Sequence, residues 1–180
     1  MALVGSGYLA WLFWGTGLVT AHQQDRLRAQ IAPHLQDHPR HGPVSGRVQV
    51  PGNAIGILVI PRIHLDMVVV QGVDTASLEK GPGHYPSSAF PWEDHGRVAI
   101  AGHRTTYLHP FWSLNEMRPG DGIKIETEYG TFRYRVTRVI TRSPWDRSVL
   151  DQTDQPSLVL TTCTPRFSAS QRLVVLADRL

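Results

Sequence analysis

Residues 55–180 are cut into short apolar runs rich in branched aliphatic side chains, each ended by Gly, Pro or a polar cluster. Residues 56–60 (Gly-Ile-Leu-Val-Ile) and 67–70 (Met-Val-Val-Val) read as strands, and the 61–66 connection fits a hairpin. A further strand is expected over 97–102, a hairpin over 122–127 and 131–142 around Tyr129-Gly130, and two final strands over 157–163 and 173–176. In the longer hairpin arm Phe132, Tyr134 and Val136 alternate with Arg133, Arg135 and Thr137, which gives one buried and one wet face. Helix is confined to a turn at 76–80, ended by Gly81, and a short piece at 110–117, stopped by Arg118-Pro119-Gly120. A long connection, 143–156, contains Trp145. Roughly eight short strands with so little helix define an all-β domain, and closure into a barrel removes the unpaired edges such strands would leave.

Residues 2–21 carry no formal charge. About twenty residues of helix cross a hydrocarbon core of roughly 30 Å, so residues 1–21 read as a transmembrane anchor. Tyr8, Trp11 and Trp14 are amphipathic aromatics of the kind found near membrane interfaces. A cleaved signal peptide and a buried soluble helix are the alternatives; the first calls for a basic start and a shorter apolar core, the second for more polar character. Residues 22–52 are polar and carry Pro33, Pro39, Pro43 and Pro51. They are expected to form an Arg/Gln-rich helical turn at 23–30 and then an extended linker to a domain at 53–180.

A composition of 41% hydrophobic and 18% charged residues fits one globular domain plus an extra segment. The net charge of +3 is a mild basic bias, and no Lys/Arg block is interleaved with aromatics, which argues against nucleic-acid binding. A basic surface suits an anionic membrane or cell wall, and an ordinary solvated surface equally well. Among the nine histidines, His34, His38 and His41 are close together, but Pro33, Pro39 and Pro43 break any helix that would align them. With a single cysteine and no His-Glu-x-x-His pattern, no metal site is expected.

The cysteine, Cys163, ends the strand 157–163, and Pro165 follows two residues later. It has no partner for an intramolecular disulfide, so reactivity has to be weighed against simple burial. A nucleophilic thiol needs a base or cation to favour the thiolate and a donor for the oxyanion. His103 follows the run Val98-Ala99-Ile100-Ala101-Gly102 and so also stands at a strand end. Arg172 enters the last strand, and its guanidinium donates without acting as a base. Taken singly, each residue has a bland reading: a core thiol, a surface imidazole, a solvated arginine.

Taken together, Leu160-Thr161-Thr162-Cys163-Thr164-Pro165, Arg172 on the next strand and Ala101-Gly102-His103-Arg104 upstream resemble the sortase family over about residues 53–180. Lys80-Gly81-Pro82-Gly83-His84-Tyr85-Pro86 and Gly102-His103-Arg104-Thr105-Thr106-Tyr107 look most like class E sortases, with class D next. The resemblance implies a sortase-like β-barrel behind an N-terminal transmembrane helix, with the catalytic domain on the extracellular face of a Gram-positive cell. It implies a cysteine transpeptidase without cofactor or metal. Cys163 would attack the Thr–Gly bond of a C-terminal sorting signal, Leu-Ala-x-Thr-Gly-like or Leu-Pro-x-Thr-Gly-like, in an exported protein. A cell-wall precursor amine would resolve the thioacyl intermediate. His103 would move the protons, and Arg172 would hold the oxyanion or the peptide. Tyr85 and Thr162 are candidate substrate contacts, Tyr85 having turn packing as its alternative. Trp145 is a candidate wall of the peptide groove. Residues 22–52 contain no Asp-Pro-aromatic lid motif, which favours a housekeeping attachment role over pilus building. Glu93, Asp94, Glu126 and Glu128 have no spacing diagnostic of a calcium site.

The anchor's orientation carries a conflict. The nearest charges, Asp25, Arg26 and Arg28, lie C-terminal to it, and the positive-inside rule would keep that side in the cytoplasm. A basic tail ahead of residue 1 would resolve it. Two rival functions use the same features: a thiol hydrolase that releases product to water, and a non-enzymatic tethered β-barrel that binds without chemistry.

Overall fold

The computed structural model describes residues 15–35 and 52–180. Eight strands close into one barrel: β1 (Ala54–Ile60), β2 (Leu65–Gln71), β3 (Gly83–His84), β4 (Arg97–Ala101), β5 (Gly122–Thr127), β6 (Gly130–Arg142), β7 (Ser157–Thr164) and β8 (Gln171–Arg179). Around the barrel the order is β1-β2-β3-β4-β7-β8-β6-β5, and β5 returns to β1. The β2–β3 and β4–β7 pairings are parallel and the rest antiparallel.

The alternation expected in β6 is present: Phe132, Tyr134 and Val136 are buried, Arg133, Arg135 and Thr137 exposed. With Leu58, Ile60, Val69, Ile100, Leu158, Leu160 and Val175 they fill the barrel. Ile57, Val68 and Val70 alternate to the outside of β1 and β2, where they would meet water without a cover.

Helix α1 (Thr16–Ile31) is that cover. Thr20, Gln24, Leu27 and Ile31 lie on one helical face and are buried, Leu27 and Ile31 against the three outward aliphatics. Gln24 makes the contact specific. Its Nε2 donates to Val68 O (3.0 Å) and Lys80 O (2.7 Å), and its Oε1 accepts from Val68 N–H (2.7 Å). The side chain thus satisfies a stretch of β2 that two-residue β3 is too short to reach. Residues 16–21, expected to end the transmembrane anchor, and residues 22–31, expected to begin a linker, are therefore one helix docked on the barrel, with Thr20 buried and bonded to Glu79 O; residues 36–51 lie outside the described residues. No helix among the described residues is long and apolar enough to cross a membrane. Residues 1–14, most of the expected anchor, lie outside the described residues, as do His38 and His41.

The expected 76–80 turn is α2 (Thr75–Leu78), capped by Asp74, whose carboxylate accepts from Ser77 N–H (3.1 Å). The expected helix over 110–117 contracts to a single 3-10 turn, Leu114–Glu116. Strand β3 was not expected. It is held by His84, fully buried, with Nδ1 3.0 Å from Gln71 Oε1, Nε2 2.9 Å from Ala89 O and its ring stacked on Phe90. Burial pushes His84 down to about 4, so it is neutral in the folded protein near neutral pH.

Candidate active site

Strand register builds the site. In the parallel β4–β7 pair Ala101 stands opposite Thr161, Gly102 N–H donates to Thr161 O (3.1 Å) and Thr162 Oγ1 donates to Gly102 O (2.7 Å). Parallel strands end at the same rim, so the next residues, His103 and Cys163, leave the barrel side by side. In the antiparallel β7–β8 pair Arg172 stands directly opposite Cys163. The three residues expected to carry chemistry are thereby brought to one rim. Gly102 is required there: a Cβ would sit 2.6 Å from Cδ2 of buried Phe111.

Cys163 is partly buried. His103 packs its ring against Tyr107, centroids 4.8 Å apart, and its buried Nε2 has no hydrogen-bond partner among the described residues. Burial holds the imidazole below its ordinary range, and the Glu79 carboxylate acts in the opposite sense. Glu79 Oε1 accepts from Tyr107 OH (2.9 Å), and Glu79 O accepts from Thr20 Oγ1 of α1 (2.7 Å). The docked helix thus reaches the histidine loop through one residue. Arg172 is half-buried, its Nη1 donating to Ala169 O (3.1 Å) and Gln171 O (3.2 Å).

A cavity of about 360 Å³ opens beside Arg172 between Tyr85, Thr161 and the β6–β7 connection, which contributes Asp146 and Arg147. Tyr85 OH lies 3.4 Å from Thr161 Oγ1 at this wall. Thr162 does not line it: it is 3% exposed and its hydroxyl is committed to Gly102 O. Strand alternation turns Thr161 to the cavity and Thr162 to the β4 exit, so the threonine beside the groove is one residue earlier than expected. Trp145 is 87% exposed and is absent from this wall. Among the described residues no three His, Cys, Asp or Glu side chains converge as metal ligands do.

Sequence reasoning missed Arg104. Its side chain turns inward, with Nη1 donating to Cys163 O (3.3 Å) and Thr164 Oγ1 (2.7 Å) and Nη2 to Asn115 Oδ1 (2.7 Å). The only signal was its place directly after His103; an arginine in a polar exit loop is more often solvated. Glu79 and Tyr107 were missed as well: Tyr107 folds back on the His103 ring within the same loop, and Glu79 reaches it from the end of α2.

Fold and rim together define a class of protein: a closed mixed β-barrel presenting one thiol beside an imidazole and guanidinium groups at the ends of adjacent strands. The sortase domain family model matches residues 58–180. The chain belongs to the sortase family. It is 32% identical to Sortase SrtE1 of Streptomyces coelicolor over 93% of this chain and 51% of that protein. It is 35% identical to Sortase D of Bacillus subtilis over 72% of this chain and 65% of that protein. The chain therefore spans about half and about two thirds of these relatives. The solved structure of sortase E1 from Streptomyces coelicolor with a tripeptide in the active site superposes with a TM-score of 0.68 at 31% identity, covering 74% of this chain and 91% of that one.

Proposed function

We propose that the protein is a membrane-anchored sortase that cleaves a C-terminal sorting signal between Thr and Gly and transfers the exported protein to a cell-wall amine. The observation that supports this reading is the double register that sets Cys163 opposite Arg172 and brings the exit of β4, which leads to His103, to the same rim. In the proposed reaction the Cys163 thiolate adds to the threonine carbonyl, and Arg172 donates to the oxyanion. Collapse breaks the C–N bond. The glycine amine leaves with a proton from the His103 imidazolium, and a thioester remains on Cys163. Neutral His103 then takes a proton from the incoming amine as it attacks the thioester, and the new amide departs from the regenerated thiolate. A partly buried imidazole between a desolvating pocket and the Glu79 charge suits a group that must give and take a proton in one cycle.

The cavity between Tyr85, Thr161 and Arg172 is the proposed seat of the peptide, in line with the tripeptide held in the active site of the Streptomyces coelicolor structure. A Leu-Ala-x-Thr-Gly-like signal is proposed over Leu-Pro-x-Thr-Gly on the likeness to class E relatives. For the anchor, the support is that the sequence over 2–15, which precedes α1, carries no charge, and that Leu18 and Val19 in the first turns of α1 are 76% and 54% exposed. The domain would then sit on the outer face, close to the bilayer.

The test is mass spectrometry with Leu-Ala-x-Thr-Gly and Leu-Pro-x-Thr-Gly peptides, with and without an amine acceptor. Expected are a thioacyl adduct on Cys163, an amide product that rises with acceptor, and faster turnover of the Ala peptide. Cys163→Ala should lose the adduct and Arg172→Ala most turnover. Hydrolysed product alone at every acceptor concentration would make the protein a thiol hydrolase. Near-normal turnover in either variant would reject the mechanism.

A further inference from the structure

We propose that Arg104 is a positioning residue for the thiol: it ties down the end of β7 that carries Cys163 and supplies the buried positive charge against which the thiolate forms. This rests on Cys163 being the nucleophile. Arg104 is only 6% exposed, and a buried cation is costly unless a counter-charge sits nearby. No carboxylate among the described residues pairs with it. Its partners are Cys163 O, Thr164 Oγ1 and Asn115 Oδ1, all neutral, and its Nε is buried without a partner. Among the ionisable groups that act on it, the one that favours its charge is Cys163, the residue whose carbonyl it holds.

The other charges at the rim do not substitute for it. Arg172, opposite Cys163 on β8, is only half-buried at the mouth of the cavity, and its Nη1 is taken up by Ala169 O and Gln171 O. Arg166, from the β7–β8 connection, stacks over the Trp112 ring at 4.3 Å and donates to Trp112 O (3.2 Å). Burial disfavours the Arg104 charge, Arg166 repels it, and Cys163 favours it. His103 leaves β4 beside the thiol, and Glu79 acts on His103. Arg104 is thus the buried cation of the cluster, tethered at Cys163 itself. A buried charge acts through a lower dielectric than an exposed one and so weighs more on a neighbouring ionisation.

Two disabling variants of the full chain and one conservative variant test this by the rate of Cys163 alkylation with iodoacetamide as a function of pH, a readout that needs neither sorting peptide nor acceptor and so is independent of the transpeptidase reading. Arg104→Gln removes the charge. Asn115→Asp keeps the shape but sets a carboxylate on the guanidinium, where Asn115 Oδ1 now lies 2.7 Å from Nη2. Both should alkylate more slowly at neutral pH, by on the order of tenfold for Arg104→Gln, and both should regain the wild-type rate at alkaline pH. Arg104→Lys should recover much of the neutral-pH rate. A wild-type profile in Asn115→Asp, or a deficit that persists unchanged at alkaline pH, would reduce Arg104 to packing and overturn the proposal. If Arg104→Gln does not fold, Asn115→Asp decides alone.

Discussion

Replacing Gly102 by Ala should damage the stability and the chemistry of this barrel together. A Cβ at Gly102 meets Phe111 Cδ2 at 2.6 Å, Cε2 at 2.8 Å and Cγ at 3.1 Å, inside any van der Waals contact. Neither side has room to withdraw. Gly102 is bonded through its N–H to Thr161 O and through its O to Thr162 Oγ1, while Phe111 is fully buried and its N–H donates to His103 O (3.1 Å). Relief has to come from shifting the 103–111 loop, which carries the imidazole. Overpacking of this kind costs about 1–3 kcal/mol, or roughly 2–12 °C of melting temperature for a chain of this size. Thermal unfolding gives the first quantity and peptide turnover the second. Gly102→Ala should lower both, and Phe111→Leu in the same chain should restore part of each. Gly120→Ala is the control. Gly120 has φ +96°, but a Cβ there would meet nothing within 4 Å, so the change should cost only the left-handed strain of about 1–2 kcal/mol and leave turnover intact. A Gly102→Ala protein that melts and turns over like wild type would refute the claim that this glycine sets the position of His103.

Thr162→Val should lower stability by about 1–2 kcal/mol, because it leaves Gly102 O without its donor; a variant of wild-type stability with a raised KM would instead make Thr162 a peptide contact. Glu79→Gln keeps an acceptor for Tyr107 OH but removes the charge that favours the imidazolium, so the limb of the kcat/KM profile that reports His103 should move to lower pH; an unmoved limb would detach Glu79 from the site. His84 should make the fold acid-sensitive. Its affinity for a proton is depressed in the folded state, so the unfolded chain binds more protons between the ordinary histidine value of 6.5 and about 4. Stability is then complete above that window and falls as pH drops through it, by about 3 kcal/mol in all. Melting temperature measured across this range should flatten in His84→Gln, and an equally steep loss in that variant would assign acid sensitivity elsewhere.

What the sequence made legible follows from where the signal is local. Phe132, Tyr134 and Val136 alternate with charged residues, and a period of two survives in the sequence because one face is wet. The ends of β7 and β8 were legible because Cys163 and Arg172 sit beside breaks in the apolar pattern. Strand β3 was not: two residues carry no period, and what makes Gly83–His84 a strand is a buried imidazole bonded to Gln71 and Ala89 from other parts of the chain. Helix α1 was misread for a related reason. Its buried face is Thr20, Gln24, Leu27 and Ile31, half of it polar, and Gln24 is buried only because Val68 and Lys80 offer backbone groups that β3 does not reach.

The site's own chemistry divides along the same line. That His103, Cys163 and Arg172 stand at one rim is a consequence of two strand pairings, one of them parallel, and the parallel one is decisive. An antiparallel β4 against β7 would send His103 to the opposite rim from Cys163. Because β4 and β7 run the same way, His103 just past the end of β4 and Cys163 near the end of β7 must share a rim, and the β7–β8 hairpin then returns Arg172 to the same level. Motif order in the chain is enough to propose those three. It says nothing of which neighbours turn inward. Arg104 and Glu79 act on the thiol and the imidazole from loops whose direction depends on Phe111, Asn115 and the docked α1, so their roles exist only at the level of packing. A sequence that kept all three motif residues but lost Gly102, Arg104 or the Gln24 contact would still read as a sortase, yet with the rim unpacked or its buried cation gone it would hold its thiol and imidazole less well.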